Sequence, residues 1–157
     1  VTGVQTCALP ILKKMYEAIV VGKPKEGHGI IDRAIGRHPV YRHKMTVVEG
    51  GREAVTEYRV QQIWNTPDGV FSLLEIVLHT GRTHQIRVHL SSMGLPIVAD
   101  PIYSKKHDRF NVPHLMLFSR KLIFSHPVHG EAMSFEAPRP KHFIEFMKKL
   151  DLRSYHL

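Results

Sequence analysis

The chain has 157 residues, enough for one domain with a core of its own, and its 43% hydrophobic and 23% charged residues give the balance of a globular protein. No run approaches the ~18 consecutive apolar residues that a membrane span needs, and a single cysteine, Cys7, excludes an internal disulfide and a cysteine-based metal site. Lysine and arginine total 22 against 14 acidic residues, a formal charge of +8 that favours a polyanionic partner, since each phosphate contact releases counterions.

Residues 1–11, VTGVQTCALPI, have no clear period and lead abruptly into Leu12-Lys13-Lys14. They resemble the translation of a common sequencing adapter. They lack the basic and apolar regions of a secretory signal. Residues 12–157 are therefore read as the protein proper, with the upstream frame expected to be cut where the adapter-like stretch begins. The single cysteine and the missing signal fit a reducing cytosol, so a cytoplasmic protein is expected.

In chain order, Met15–Gly22 reads as a β-strand, rich in β-branched residues and closed by Gly22-Lys23-Pro24. A polar loop follows, then a short strand over Gly29–Ile35. Gly36–Lys44 is a basic loop carrying Arg37, His38, Arg42, His43 and Lys44, and Met45–Glu49 is extended. In Ala54–Trp64, Thr56, Tyr58, Val60 and Gln62 alternate with Val55, Glu57, Arg59 and Gln61, which predicts a strand. The Asn65–Gly69 cluster is a hairpin turn, and Val70–His79 returns as its partner. Ile86, Leu90 and Met93 fall on one face of a helix over Thr83–Met93, capped by Thr80 or Thr83 and ended by Gly94. Leu117–Ser125 and Met133–Ala137 read as strands around a turn at His126–Gly130, and Lys141–Leu150 as a closing helix with Pro140 at its start. Hairpins outnumber helical crossovers, so the expected fold is α+β, a mixed, mainly antiparallel sheet with a few flanking helices.

The stretch from Thr80 to Leu90, TGRTHQIRVHL, places two arginines and two histidines within eight residues at a strand-to-helix junction. On a helical wheel His84, Arg87 and Ser91 project to one side, while the apolar positions project to another. Arg82 stands where it can meet a phosphate together with the free N–H groups of a helix start. Read from the residues alone, this is either an anion or RNA contact or an amphipathic helix with a solvated polar face. His84 and His89 do not share a helical face, and no HExxH pattern occurs, which argues against a zinc site despite 12 histidines.

The segment His79–Ser104, HTGRTHQIRVHLSSMGLPIVADPIYS, resembles the signature of the RluA branch of the RNA pseudouridine synthases: a TGR-x-HQ-[IL]-R-VH helix, then a G-x-PI-x-x-D-x-x-Y loop met by Gly94, Pro96, Ile97, Asp100 and Tyr103. KKMYEAIVVG resembles that family's tyrosine-bearing strand, EAVTEYRV its A-x-T-x-Y-x-V strand, and HLMLFSRKLIFSHPVHGEAMSFEAP its closing hairpin, with Leu117-Phe118-Ser119 in place of the usual Leu-His-Ala. The family's other signature, HRLD-x-x-(T/S)-S-G, carries the nucleophilic aspartate and is absent from these 157 residues.

The resemblance implies an isomerase that detaches uracil from its ribose, rotates it and rejoins it through carbon, in rRNA or tRNA, without cofactor or metal. It implies that Arg87 pairs with the nucleophilic aspartate and that Tyr16 is the active-site tyrosine. It implies that Leu117 lines the uracil pocket, and Arg82, His84 and Gln85 are then candidates for positioning substrate or bracing the motif rather than for chemistry. The chain alone is expected to be inactive, monomeric and bound to RNA rather than DNA. Two rival readings are a non-catalytic RNA-binding domain, using Arg37–Lys44 and the TGR helix, and a small metal-dependent hydrolase built on the histidines.

Overall fold

A computed structural model describes residues 11–105 and 111–155. Of the adapter-like stretch, only Ile11 lies among these; the reading of residues 1–10, including Cys7, falls outside them. Among the described residues, eight strands and two helices follow one another: β1 (Ile11–Val21), β2 (His28–Asp32), β3 (Ile35–Arg37), β4 (Met45–Val47), β5 (Val55–Thr66), β6 (Gly69–Leu78), α1 (Gln85–Ser92), β7 (Leu117–Ser125), β8 (Ala132–Glu136) and α2 (Lys141–Arg153). Six strands form one sheet in the order β2-β5-β6-β1-β7-β8, while β3 and β4 make a separate two-stranded ribbon. Every described pairing is antiparallel. The short strand expected over Gly29–Ile35 is split: β2 joins the large sheet and β3 leaves it for the ribbon.

β1 lies in the middle of the sheet and is covered on both faces. Glu17, Ala18, Ile19 and Val20 are all fully buried, so the strand reads as a continuous buried run rather than an alternating one. α1 covers the face that carries Ala18, Ile76 and Tyr58, placing Ile86 and Leu90 in the core. α2 covers the other face through Phe143 against Phe118 and Phe146 against Phe71. The Trp64 indole N–H reaches the Asp151 carboxylate at 2.7 Å.

A bulge in β5 between Val60 and Gln62 makes this two-sided arrangement possible. Before it, Thr56, Tyr58 and Val60 face α1. After it, Gln62 and Trp64 face α2, because one extra residue exchanges the two faces. The regular alternation expected through Gln62 therefore breaks one residue earlier.

Glu17 is the exception within the buried run of β1. Its carboxylate accepts two bonds from Arg139, at 2.8 and 3.1 Å, and a longer contact from Arg120 at 3.4 Å. The Glu17 carboxylate in turn raises the Arg139 pKa above the ordinary guanidinium value. A buried carboxylate is costly without its donors. Arg139→Ala is therefore expected to destabilise the chain by about 1–3 kcal/mol, and Arg120→Ala by less. Equal shifts of the two urea midpoints would contradict this ranking.

α2 has Pro140 at its N-cap with extended backbone (φ −60°, ψ 152°), one position before the first helical residue, and runs on to Arg153 rather than stopping at Leu150. A second small core of Ile35, Ala54 and Val88, with Met45, Val47 and Tyr103 against it, ties the β3–β4 ribbon to α1.

Candidate active site

The start of α1 is organised by a side chain rather than by a threonine cap. His84 is the N-cap, in the left-handed region at φ 55°, and makes no side-chain capping bond. Thr80 instead accepts the Val55 N–H and donates to Gln85 Oε1, which also accepts the Arg82 N–H. The Gln85 amide donates onward to the Val55 carbonyl and to Thr56 Oγ1, both at 3.0 Å. All four hydrogen-bonding capacities of this amide are thereby used, and the residue is only 2% exposed. Gln85 braces the junction of β5, β6 and α1 and presents nothing to a ligand.

The brace continues to His89, which is fully buried between Thr56 Oγ1 and the Arg33 carbonyl, both at 2.8 Å. The carbonyl requires an N–H on Nε2, so Nδ1 accepts the Thr56 hydroxyl. Burial lowers the His89 pKa, against the opposing pull of the Arg33 carbonyl. The other end of α1 closes as a Schellman turn: Leu95 N–H bonds the Leu90 carbonyl, Gly94 N–H bonds the Ser91 carbonyl, and Gly94 adopts φ 74°. Met93, expected on the buried stripe, is its C-cap and is exposed.

The polar face of α1 grips the loop that follows it. Arg87 Nε and Nη2 donate to the two Asp100 oxygens at 2.9 and 2.7 Å, a bidentate fork. Asp100 is fully buried, and its Oδ1 also accepts the amides of Ile102 and Tyr103. Burial pushes the Asp100 pKa up, but the Arg87 fork and the two amides outweigh it and hold it below the usual carboxylate value; the same fork raises Arg87. Tyr103 lays its ring over the Arg87 guanidinium, 5.1 Å from centroid to carbon. Ser91 donates to the Tyr103 carbonyl. The Tyr103 hydroxyl accepts the Met45 N–H and meets His84 Nδ1 at 2.7 Å. Burial first, then the nearby Arg87 charge, lowers the His84 pKa. The His84 tautomer sets which of the two groups donates in this bond. The carboxylate expected beside Arg87 was the nucleophile; the carboxylate present in the described chain is Asp100.

Tyr16 and Leu117 come together on the α1 side of the sheet. Tyr16 pairs with Ser119, and Ala18, two residues on, pairs with Leu117. Both are half-buried at the edge of the main core. Arg82 donates its Nε to the Glu53 carbonyl at 2.7 Å and is half-exposed. Among the described residues, no group of three or more His, Cys, Asp or Glu side chains could hold a metal, and no helix is long and apolar enough to cross a membrane.

The family model for RNA pseudouridylate synthase matches residues 10–92. The chain belongs to that family. Its motifs mark the RluA branch. Among curated relatives, an uncharacterized RNA pseudouridine synthase of Chloroflexus aurantiacus is 42% identical over 146 residues, covering 92% of this chain and 45% of that protein. The ribosomal large subunit pseudouridine synthase D of Pseudomonas aeruginosa is 38% identical over 154 residues, covering 88% of this chain and 46% of that protein. The chain thus spans about half the length of the curated relatives it matches. Among solved structures, human RNA pseudouridylate synthase domain containing 1 superposes with a TM-score of 0.72 at 29% identity, covering 82% of this chain and 55% of that one. The structural neighbour carries the α+β, mainly antiparallel architecture expected from the sequence.

Among the described residues of this synthase-family chain, three histidines have a pKa lowered chiefly by burial: His84, His89 and His142. Each takes up its proton at a lower pH when folded than when unfolded, where the imidazole titrates near about 6.5. The unfolded state therefore binds more protons in that range, and stability falls as pH drops below it. The Asp100 contribution, present above the ordinary carboxylate value of 3.8, is lost only below that value. The urea midpoint is expected to be lower at pH 5.5 than at pH 7.5 by this reasoning. A midpoint that is flat or rises on acidification would contradict it.

Proposed function

We propose that this chain is the C-terminal part of the catalytic domain of an RNA pseudouridine synthase acting on uridine in rRNA or tRNA. The supporting observation is the Arg87–Asp100 fork. The TGR-x-HQ-I-R-VH helix and the G-x-PI-x-x-D-x-x-Y loop lock onto each other and place a fixed arginine in a half-buried site. The names of the relatives, several of them ribosomal large subunit synthases, support rRNA as the substrate class.

In the proposed reaction the bond between N1 of uracil and C1′ of ribose breaks, and a bond from C5 to C1′ forms. The proton on C5 leaves, and N1 gains one. The uridine has to leave its stack to be reached. The nucleophilic aspartate acts on the sugar and comes from the HRLD-type segment. Arg87 holds that carboxylate ionised and oriented. Tyr16 stacks on the flipped base or transfers a proton through its hydroxyl, with Leu117 as the apolar wall beside it. His84 orients Tyr103, and Arg82 contacts the RNA backbone. No cofactor or metal takes part, and the protein works as a cytoplasmic monomer.

The test compares two proteins on RNA free of pseudouridine: this chain, and the gene product extended upstream until an HRLD segment is included. Conversion by the extended protein and none by this chain is expected. No conversion by either would end the synthase reading. Conversion by this chain alone would remove the requirement for the aspartate.

The reading as a non-catalytic RNA-binding piece has its own supporting observation. The exposed tip between β3 and β4 carries Arg37, Arg42, Lys44 and the exposed Tyr41, with the Lys44 ammonium 5.9 Å from the Tyr41 ring centroid. Binding through such a tip falls steeply with salt.

A further inference from the structure

Arg87 is held by more than its carboxylate partner. Asp100 takes the Nε–Nη2 edge of the guanidinium, and Asp100 is itself fixed by the Ile102 and Tyr103 amides. The Tyr103 ring lies against the guanidinium, its centroid 5.1 Å from the guanidinium carbon. The Tyr103 hydroxyl anchors that ring in two directions, to the Met45 amide on β4 and to His84 at the N-cap of α1. Lys44 stands 5.8 Å from the same ring. One edge is thus occupied and an aromatic ring lies beside the group, while Nη1 has no hydrogen-bond partner among the described residues. An unrestrained arginine would lose rotamer entropy on docking a carboxylate. Here that ordering is done in advance.

The arrangement also divides the arginine's charge. Asp100 is ionised and fully buried, so a carboxylate arriving at Nη1 meets a guanidinium already compensated by another anion. Such a carboxylate stays ionised, yet it is less acidic and more nucleophilic than one paired with an unshared arginine. We propose that Asp100 and Tyr103 are positioning residues for Arg87. Together they aim its Nη1 edge at the nucleophilic aspartate, and Asp100 shares the guanidinium charge so that the nucleophile keeps its reactivity. The inference rests on the synthase reading above. The charged and titratable groups acting on the guanidinium from the packed elements are Asp100, Tyr103 and His84, with Lys44 over the Tyr103 ring.

Asp100→Asn retains an oxygen for the two amides but breaks the fork. In the extended gene product, single-turnover conversion is measured against pH, with RNA affinity and folded fraction measured alongside. The Asn variant is expected to react about 10–100-fold more slowly with RNA affinity within about twofold. The acid limb of its pH profile should move down by about one unit, since the nucleophile then faces the whole arginine charge. Tyr103→Phe keeps the ring and should retain most of the rate; Tyr103→Leu should lose about tenfold. An unmoved acid limb, or a rate that falls only in proportion to RNA affinity and folded fraction, would overturn the proposal.

A second measurement is independent of activity. In this 157-residue chain, the ¹⁵N resonances of the Arg87 guanidinium should show slow rotation about Nε–Cζ, and Asp100→Asn should average them. If the extended parent converts no uridine, the synthase reading fails while this measurement still decides the positioning. If Asp100→Asn does not fold, Tyr103→Leu decides by the same readouts. Unchanged guanidinium dynamics in the variant that folds would refute the holding role.

Discussion

Arg87→Ala is expected to lower the stability of the chain by about 3–5 kcal/mol, the typical result of removing one partner from a buried ion pair. The reason lies in Asp100. It has no contact with solvent, and without the guanidinium only the two backbone amides would remain to hold its charge. The Tyr103 ring would also lose the group it lies on. A urea titration of wild type and variant reads the effect directly, and a midpoint within experimental scatter of the parent would show that Asp100 is satisfied without the arginine. In the extended gene product the same substitution should abolish uridine conversion. Arg87→Lys keeps a charge but replaces the planar fork by a point charge, so it should recover part of the stability and little of the rate. Arg82→Ala should differ in kind. Arg82 is half-exposed, and among the described residues its side chain bonds through Nε to the Glu53 carbonyl alone, so weakened RNA binding with near-parental stability is expected. Parental turnover by Arg87→Ala together with a dead Arg82→Ala would reverse the two roles.

The second large effect is expected at Gln85. Removing its amide in Gln85→Ala deprives the Thr80 hydroxyl, the Arg82 amide, the Val55 carbonyl and Thr56 Oγ1 of a partner each. It also opens a hole in a wall that excludes water. A buried group left unsatisfied costs about 1–3 kcal/mol. Because some of these groups have second partners and can relax, the total should be about 3–5 kcal/mol. The stability loss is expected to precede any functional one: at a temperature where the variant is still folded, its RNA affinity should match the parent. Lost RNA affinity with unchanged stability would instead make Gln85 a substrate contact.

These two residues also show how far the amino-acid order could be read. Arg87 and Gln85 stand two apart in one motif, both polar, both at the start of an amphipathic helix, and composition treats them alike. Their difference comes from what surrounds them. Gln85 points back into β5, where Thr56 and the Val55 carbonyl wait. Arg87 points out to the Asp100–Tyr103 turn, 13 residues further along the chain. The wheel grouping of His84, Arg87 and Ser91 was correct as geometry, and all three meet Tyr103 or its neighbour Asp100. A wheel, however, has no information about whether open solvent, RNA or a loop of the same chain lies opposite that face.

The order of residues by itself determined the hairpin of β5 and β6, the strand at Leu117–Ser125, the glycine-terminated end of α1 and the family motifs. Each depends on neighbours close in sequence: alternation, a Pro-Asp-Gly turn, or a residue that tolerates φ above zero. Other features required the assembled sheet. The bulge after Val60 turns Trp64 toward α2 instead of α1, an outcome decided by the register of β5 against β6 rather than by any local preference. The fully buried Glu17 is acceptable only because Arg120 and Arg139, more than a hundred positions away, arrive beside it. The left-handed His84 replaces the expected threonine cap because the Gln85 side chain and the Tyr103 hydroxyl already hold that corner. Local propensity acts over a few residues, whereas the partners of a buried charge and the facing side of a strand are set by packing between distant segments, where the cost of an unpaired polar group is highest.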